Sequence, residues 1–200
     1  MLVSTEDSGD WVPVMDSPDR SITFRPLREA DLPLLTDWLN RGHVREWWSG
    51  DDTAPDFEYT RKKYLPRMDE ASPVKAYIAM HAGEPIGFIQ SYVALGCGNG
   101  WWEEETDPGV RGIDQFLCDG GKLGQGLGTR MVSAFVQRLL AEPGVTRVQS
   151  DPDPANARAV RCYERAGFRP VGKITTPDGP ALLMVVEKVT PKEHTRESAP

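Results

Sequence analysis

Cysteine and histidine are scarce in this chain of 200 residues, at three each. Cys97, Cys118 and Cys162 are an odd set with no C-x-x-C pair, which excludes a disulfide framework of the secreted kind. His43, His81 and His194 lie far apart, without the spacing of a zinc site, so no metal is expected. Long apolar runs are missing too. None approaches the ~18 residues of a membrane-spanning helix. The N-terminus has no basic start followed by an apolar stretch, so no secretory signal is expected. A basic excess is also absent: Lys and Arg number 23 against 30 Asp and Glu, for a net charge of −7. That balance excludes a phosphate-gripping nucleic-acid binder and fits a polycationic ligand, or plain solubility. These absences predict a cytoplasmic protein with neither nucleic acid nor membrane as partner.

The length fits one domain, and a chain of this size buries roughly 70% of its unfolded surface without staples. Residues 1–20, rich in Ser, Asp and Pro, read as a loosely ordered extension with one strand around Trp11–Met15. Residues 189–200 read as a polar tail, leaving 21–188 as the folded domain. Strands are predicted at Ile22–Arg25, Val74–Met80, Ile86–Leu95, Val110–Leu117, Val145–Ser150, Phe168–Ile174 and Ala181–Glu187. The second and third form a hairpin around His81–Glu84. Helical spacing marks Glu29–Asn40, Phe57–Leu65, the stripe from Leu127 to Leu140, and Asp153–Ala166 with Pro154 in its first turn and Gly167 at its end. The expected class is α/β of the α+β type: a mixed central sheet flanked by helices, with a βαβα unit in its second half.

Gly124, Gly126 and Gly128 open the strong helix that begins at Leu127. Backbone N–H groups in such a loop, together with the helix dipole, suit a phosphate. The spacing fits neither a P-loop nor a dinucleotide fingerprint: Thr129 follows Gly128 with no lysine before it, and the third glycine is missing.

About thirty residues later, Asn156, Ala159, Tyr163, Arg165, Gly167 and Phe168 follow the pattern N-x-x-A-x-x-x-Y-x-K-x-G-F, with Arg165 in place of Lys. This resembles the signature of the GNAT superfamily of N-acetyltransferases. Leu123–Gly128 resembles that superfamily's [QR]-x-x-G-x-[GA] loop, with Leu123 where Gln or Arg is usual. The segments Trp38–Arg41, Glu46–Trp48, Tyr77–Met80, Gly83–Gly87, Gln90–Gly96, Gly100–Gln115 and Thr176–Ala181 further resemble the aminoglycoside 6′-N-acetyltransferases, over roughly residues 20–185. The resemblance implies a single GNAT-like domain, acetyl-CoA as co-substrate, an aminoglycoside as acceptor, and drug resistance as the outcome. A monomer is expected.

The resemblance also implies roles. Gly124, Gln125, Gly126, Leu127, Gly128 and Thr129 would hold the CoA pyrophosphate. Asn156 would contact the pantetheine arm or the loop it borders, or serve only as a helix start. Tyr163, two turns from Asn156, would donate a proton to the departing thiolate, or simply pack. Asp114 would take the proton of the attacking amine, or bind the ammonium. Backbone N–H groups of its strand would polarise the thioester carbonyl.

Six acids (Glu103, Glu104, Glu105, Asp107, Asp114, Asp119) against one base (Arg111) fall between Asn99 and Asp119. They suggest an acidic acceptor site, with Asp151 and Asp178 added by resemblance and Gln90 as a hydroxyl partner. Of the pairs Trp47/Trp48 and Trp101/Trp102, strand alternation would put one ring in the core and one on a sugar, with Trp48 and Trp102 taken as the ligand side. Asn99, Cys97 and Phe116 depart from the nearest members of that family. Phe116 points toward amikacin rather than gentamicin, and unmodified Trp101 and Asp178 point away from fluoroquinolones. Two other readings remain: a GNAT enzyme for another polycationic amine or a peptide N-terminus, and an acetyl-CoA-sensing module without catalysis.

Overall fold

A computed structural model describes residues 21–48 and 53–188. The expected strand at Trp11–Met15, the loose extension and the polar tail lie outside the described residues. Seven strands, β1 (Ile22–Pro26), β2 (Val74–His81), β3 (Glu84–Val93), β4 (Val110–Leu117), β5 (Arg147–Ser150), β6 (Arg169–Thr176) and β7 (Gly179–Glu187), form one sheet in the order β1-β2-β3-β4-β5-β7-β6. Neighbours are antiparallel except β4 and β5, which run parallel. A parallel pair needs a crossover, and α4 (Leu127–Ala141) supplies it.

The hairpin turn between β2 and β3 uses Ala82 and Gly83, both at positive φ, the conformation of a tight two-residue turn. Helices α1 (Leu32–Leu39) and α3 (Phe57–Tyr64) fall where the periodicity puts them. Three differences have local causes. Residues 29–31 form a separate 3₁₀ turn ahead of α1. Helix α2 (Gly42–Trp48) was not expected, being short and opened by a glycine. Helix α5 (Ala157–Arg165) starts later than the Pro154 signal, because Asn156 caps it by accepting the Ala159 N–H at 3.0 Å.

Alternation along the strands splits the core into two layers. Phe88 of β3 and Phe116 of β4 join Leu35, Trp38 and Tyr64 of the first three helices. Ile89 and Ile113, which alternate to the opposite face from Phe88 and Phe116, join Phe135 of α4 and Tyr163 of α5. The sheet is therefore sandwiched between helices, with Gln90 and Asp114 on the face of the first layer.

One registration feature shapes the site. β4 pairs with β5 only through Val110, Arg111 and Gly112. From Ile113 to Leu117, β4 has no partner on that side among the described residues, so the sheet opens into a split toward the start of α4.

Candidate functional site

The loop after β4 turns through a 3₁₀ segment, Gly120–Lys122, capped by Asp119, whose carboxylate accepts the Gly121 N–H at 2.8 Å. Gly124 and Gly126 then take φ of +74° and +80°, a region that L side chains rarely enter. Gly126 is the N-cap of α4 and offers no side-chain cap. The first helical bond runs from the Arg130 N–H to the Gly126 carbonyl at 3.0 Å. The N–H groups of Leu127, Gly128 and Thr129 thus precede the first helical bond, an arrangement that suits an anion at a helix N-terminus.

Gly128 differs, since a Cβ there would meet Cys162 Sγ at 3.4 Å, an ordinary van der Waals contact between α4 and α5. Gln125 turns back to donate to the Gly121 carbonyl at 2.7 Å, and Thr129 Oγ1 reaches Cys162 Sγ at 3.8 Å. Their side chains brace the loop, and Asn156 is used as the α5 cap. Of the predicted loop set, the side chains of Gln125, Thr129 and Asn156 are engaged within the protein.

Asp114 projects from β4 opposite Gln90 of β3. Gln90 Nε2 donates to Asp114 Oδ2 at 2.7 Å. Burial pushes the Asp114 carboxyl above its ordinary range, while the Gln90 bond and the Arg67 charge pull it back. Asp151, just past the end of β5, is raised to about 8 by burial and by the charges of Asp114 and Asp178. Asp178 comes from the β6–β7 turn and is exposed. Three carboxylates far apart in sequence therefore act on one another at the sheet split.

Tyr163 is 4% exposed with its ring edge-on to Phe168. Its hydroxyl is hydrogen-bonded to Ser150, and burial holds its pKa well above the usual phenol range. A phenol so held stays protonated and able to donate. Asp114 and Asp151 both act on it, which places it beside the carboxylates.

The tryptophans require correction. Trp47 and Trp48 lie in α2, so strand alternation does not apply to them. Trp47 is the exposed member. Trp48 packs with its ring edge-on to Phe88 and Phe116, and its Nε1 donates to the Tyr64 hydroxyl at 2.9 Å. It is a core-facing wall rather than a free stacking surface. Phe116 is likewise in the core, stacked on Phe88. Trp102 is half-buried at φ +52° in a loop where Gly96, Gly98, Asn99 and Gly100 also take positive φ. Its indole N–H donates to the Tyr92 hydroxyl at 3.2 Å. Tyr92 is buried and its pKa is raised, first by burial and then by Asp114 and Asp151, so Trp102 borders the acidic group.

The acidic stretch is also redistributed. Glu105 pairs with Arg147. Asp107 accepts the Gly109 N–H and the Thr146 hydroxyl, each at 2.7 Å, and Asp119 is a cap. These three are structural. Glu103 and Glu104 stand exposed on the turn. Of the six acids, Asp114 lies at the sheet split, where Asp151 and Asp178 act on it or are acted on by it.

Residues without a motif complete the wall. Arg67, on a 3₁₀ turn Leu65–Met68, donates to Gln90 Oε1 and lies 4.7 Å from the Tyr64 ring centroid. Tyr64 itself is fully buried, and its pKa is pushed up to about 12, mainly by burial. Nothing in the sequence marks Arg67, because its contact with Gln90 is made only by the fold. Among the described residues, no group of three or more His, Cys, Asp or Glu is arranged to hold a metal ion, and no helix is long and apolar enough to cross a membrane.

Comparison with known proteins places this geometry. Residues 28–176 match the family described as an acetyltransferase (GNAT) domain. Aminoglycoside N(6′)-acetyltransferase type 1 of Klebsiella pneumoniae is 54% identical over 172 residues, 86% of each chain. A kanamycin resistance protein of Rhizobium radiobacter is 58% identical over 99 residues, covering 50% of this chain and 91% of its own. Among solved structures, AAC(6′)-Ib in complex with ribostamycin and coenzyme A superposes with a TM-score of 0.81 at 54% identity, covering 90% of this chain and 99% of that one.

Proposed function

This chain belongs to the GNAT acetyltransferase family and, within it, to the aminoglycoside N(6′)-acetyltransferases, and on that premise we propose that it transfers the acetyl group of acetyl-CoA to the 6′-amine of aminoglycosides and so confers resistance. The observation that carries this reading is the meeting of Asp114, Asp151 and Asp178 at the sheet split beside the uncapped start of α4. One end suits a polycation and the other an anion.

Acetyl-CoA supplies the acetyl group as a thioester. The N–H groups of Leu127, Gly128 and Thr129, with the loop held open by Gly124 and Gly126, bind its pyrophosphate. The partner-free edge of β4 past Gly112 receives the pantetheine arm and offers N–H groups to the acetyl carbonyl. Asp151, Asp178 and Asp114 bind ammonium groups of the sugar, Trp102 supplies an aromatic wall, and Glu103 adds charge at the rim.

Asp114 accepts the proton that the 6′-amine sheds as its nitrogen bonds the acetyl carbon. Tyr163 donates the proton that the sulfur takes up as the carbon–sulfur bond breaks. The surroundings of Tyr163 favour its protonated state, while burial works against the ionised Asp114 that must accept a proton and the Gln90 donor and the Arg67 charge oppose that burial. The acidic walls have a cost: they stabilise the ammonium, so a base close to the amine is required. The protein acts as a monomer in the cytoplasm, on acceptors of the amikacin, kanamycin and tobramycin type.

The test is steady-state thiol release from acetyl-CoA with kanamycin, amikacin, gentamicin, spermidine and a peptide amine. The reading expects turnover with the aminoglycosides, amikacin above gentamicin. Turnover with only spermidine or the peptide would assign the site to another amine.

A further inference from the structure

We infer that Arg67 is a positioning residue for Asp114, acting through the side-chain amide of Gln90; the inference rests on Asp114 being the residue that receives the amine proton. Arginine carries five N–H donors and no acceptor. Only the carbonyl end of an amide can face it, and Gln90 Oε1 accepts from Arg67 Nη1. The amide's other end is thereby turned to β4, where Nε2 donates to Asp114 Oδ2 at 2.7 Å. A donor aimed at a carboxyl group favours the ionised form. Arg67 thus fixes the polarity of the amide, and the amide fixes the protonation state that a base needs.

Arg67 is itself held in place. Its guanidinium lies over the Tyr64 ring, a cation–π contact with a buried aromatic face. Tyr64 is pinned in turn by the Trp48 indole N–H at 2.9 Å. Gln90 is 7% exposed, so little water competes for either end of its amide. Without a donor-only partner, the amide can rotate and present its carbonyl to Asp114. Asp114 would then gain by keeping a proton to donate.

The other charged groups acting on Asp114 sharpen the need. Lys63 of α3 is the second cation, and Asp178 opposes both. Asp151 is coupled to Asp114 with the same sign as Asp178. The phenols of Tyr64, Tyr92 and Tyr163 and the Cys97 thiol face the same carboxylate but are all raised by burial, so they are neutral at working pH. Two cations and Asp178 therefore surround a buried base, Asp151 adds negative charge only as it ionises, and Arg67 is the cation joined to the base by a hydrogen-bonded path.

The experiment is a carbon-13 carboxyl titration of Asp114 in the acceptor-free protein, for wild type, Arg67→Met, Arg67→Lys and Gln90→Met, with thermal unfolding of each. Arg67→Met is expected to raise the Asp114 midpoint by about one pH unit or more, a tenfold change in its acid constant. Arg67→Lys, still a donor-only cation, is expected to hold it within about half that shift. Gln90→Met keeps the cation, loses the amide, and is expected to raise the midpoint as well; this arm decides the matter if Arg67→Met does not fold. The acidic limb of kcat/KM should move with the titration. An unchanged midpoint in a folded Arg67→Met protein would overturn the inference, and so would an unchanged midpoint in Gln90→Met. The titration needs no acceptor, so a failure of acetyl transfer by wild type would count against the reading of the site and not against this coupling.

Discussion

Gln90 and Asp114 face each other across the β3–β4 ladder, and their side chains are joined by a 2.7 Å hydrogen bond with the amide as donor. That bond sits where β4 has just parted from β5, so the carboxylate is held on a rigid strand at the mouth of the split. Its free oxygen is available to a proton arriving with the acceptor amine.

Asp114→Asn removes that proton acceptor while keeping size and most hydrogen bonding. A positioned base contributes about 10²–10⁴-fold, so kcat is expected to fall by at least about 10²-fold with a small change in acceptor KM. Steady-state kinetics check this. A rise in KM alone would make Asp114 a binding group only.

Asp151 gives a prediction for pH. Its folded-state pKa of about 8 lies above the ordinary value of 3.8, so the folded protein holds this proton more tightly than the unfolded chain. The stability this confers is fully present below the ordinary value and is lost as pH rises through about 8. Asp151→Asn removes the penalty, so its gain in Tm should be larger at pH 8.5 than at pH 5. Equal gains at the two pH values would contradict the buried, charge-coupled environment. Acceptor binding above pH 5 should also release protons, because an ammonium beside Asp151 favours its ionised form.

The glycines divide by cause. Gly126 stands at φ +80° with nothing near its missing Cβ, so Gly126→Ala should cost about 1–2 kcal/mol from backbone strain and raise KM for acetyl-CoA. At Gly128 an added Cβ meets only Cys162 and Leu117 at 3.4–3.9 Å, so Gly128→Ala should leave Tm within a few degrees. At Gly112 a Cβ would lie 2.2 Å from the Tyr92 ring. Gly112→Ala should displace that ring, break its bond to Trp102 and cost about 1–3 kcal/mol, with acceptor KM rising more than acetyl-CoA KM. Thermal unfolding and two-substrate kinetics on the three variants separate these outcomes.

Acceptor KM should rise with ionic strength, since attraction between a carboxylate group and a multivalent cation is screened. Initial rates across ~20 mM to ~0.5 M salt, spanning Debye lengths of roughly 20 to 4 Å, check it. A flat response would contradict an acidic acceptor pocket.

Much of this was legible in the sequence, for reasons that differ by element. β4 is legible to the residue because Val110–Leu117 lies between a Pro-Gly turn and a glycine loop. The α4 stripe and the Gly124–Gly126 turn carry strong local signals, and the pattern around Tyr163 marks the split. Helix α2 gave none, since seven residues opened by glycine hold too little periodicity. Charge counting over Asn99–Asp119 includes Asp114 but does not separate it from acids that serve the fold. Glu105, Asp107 and Asp119 are used by turns and ion pairs, whereas Asp151 and Asp178 reach the site only because β5 and the β6–β7 turn are brought there by strand order. Arg67 lies in a 3₁₀ turn that matches no motif, and its role exists only through Gln90 on another element.

The most direct test of the account is the structure of the product formed from kanamycin A and acetyl-CoA by the wild-type protein, read by mass spectrometry and two-dimensional NMR. The account predicts a single monoacetylated kanamycin with the acetyl group on the 6′-nitrogen, formed with stoichiometric release of coenzyme A. Acetylation at another amine, or no acetylated sugar despite thiol release, would contradict it.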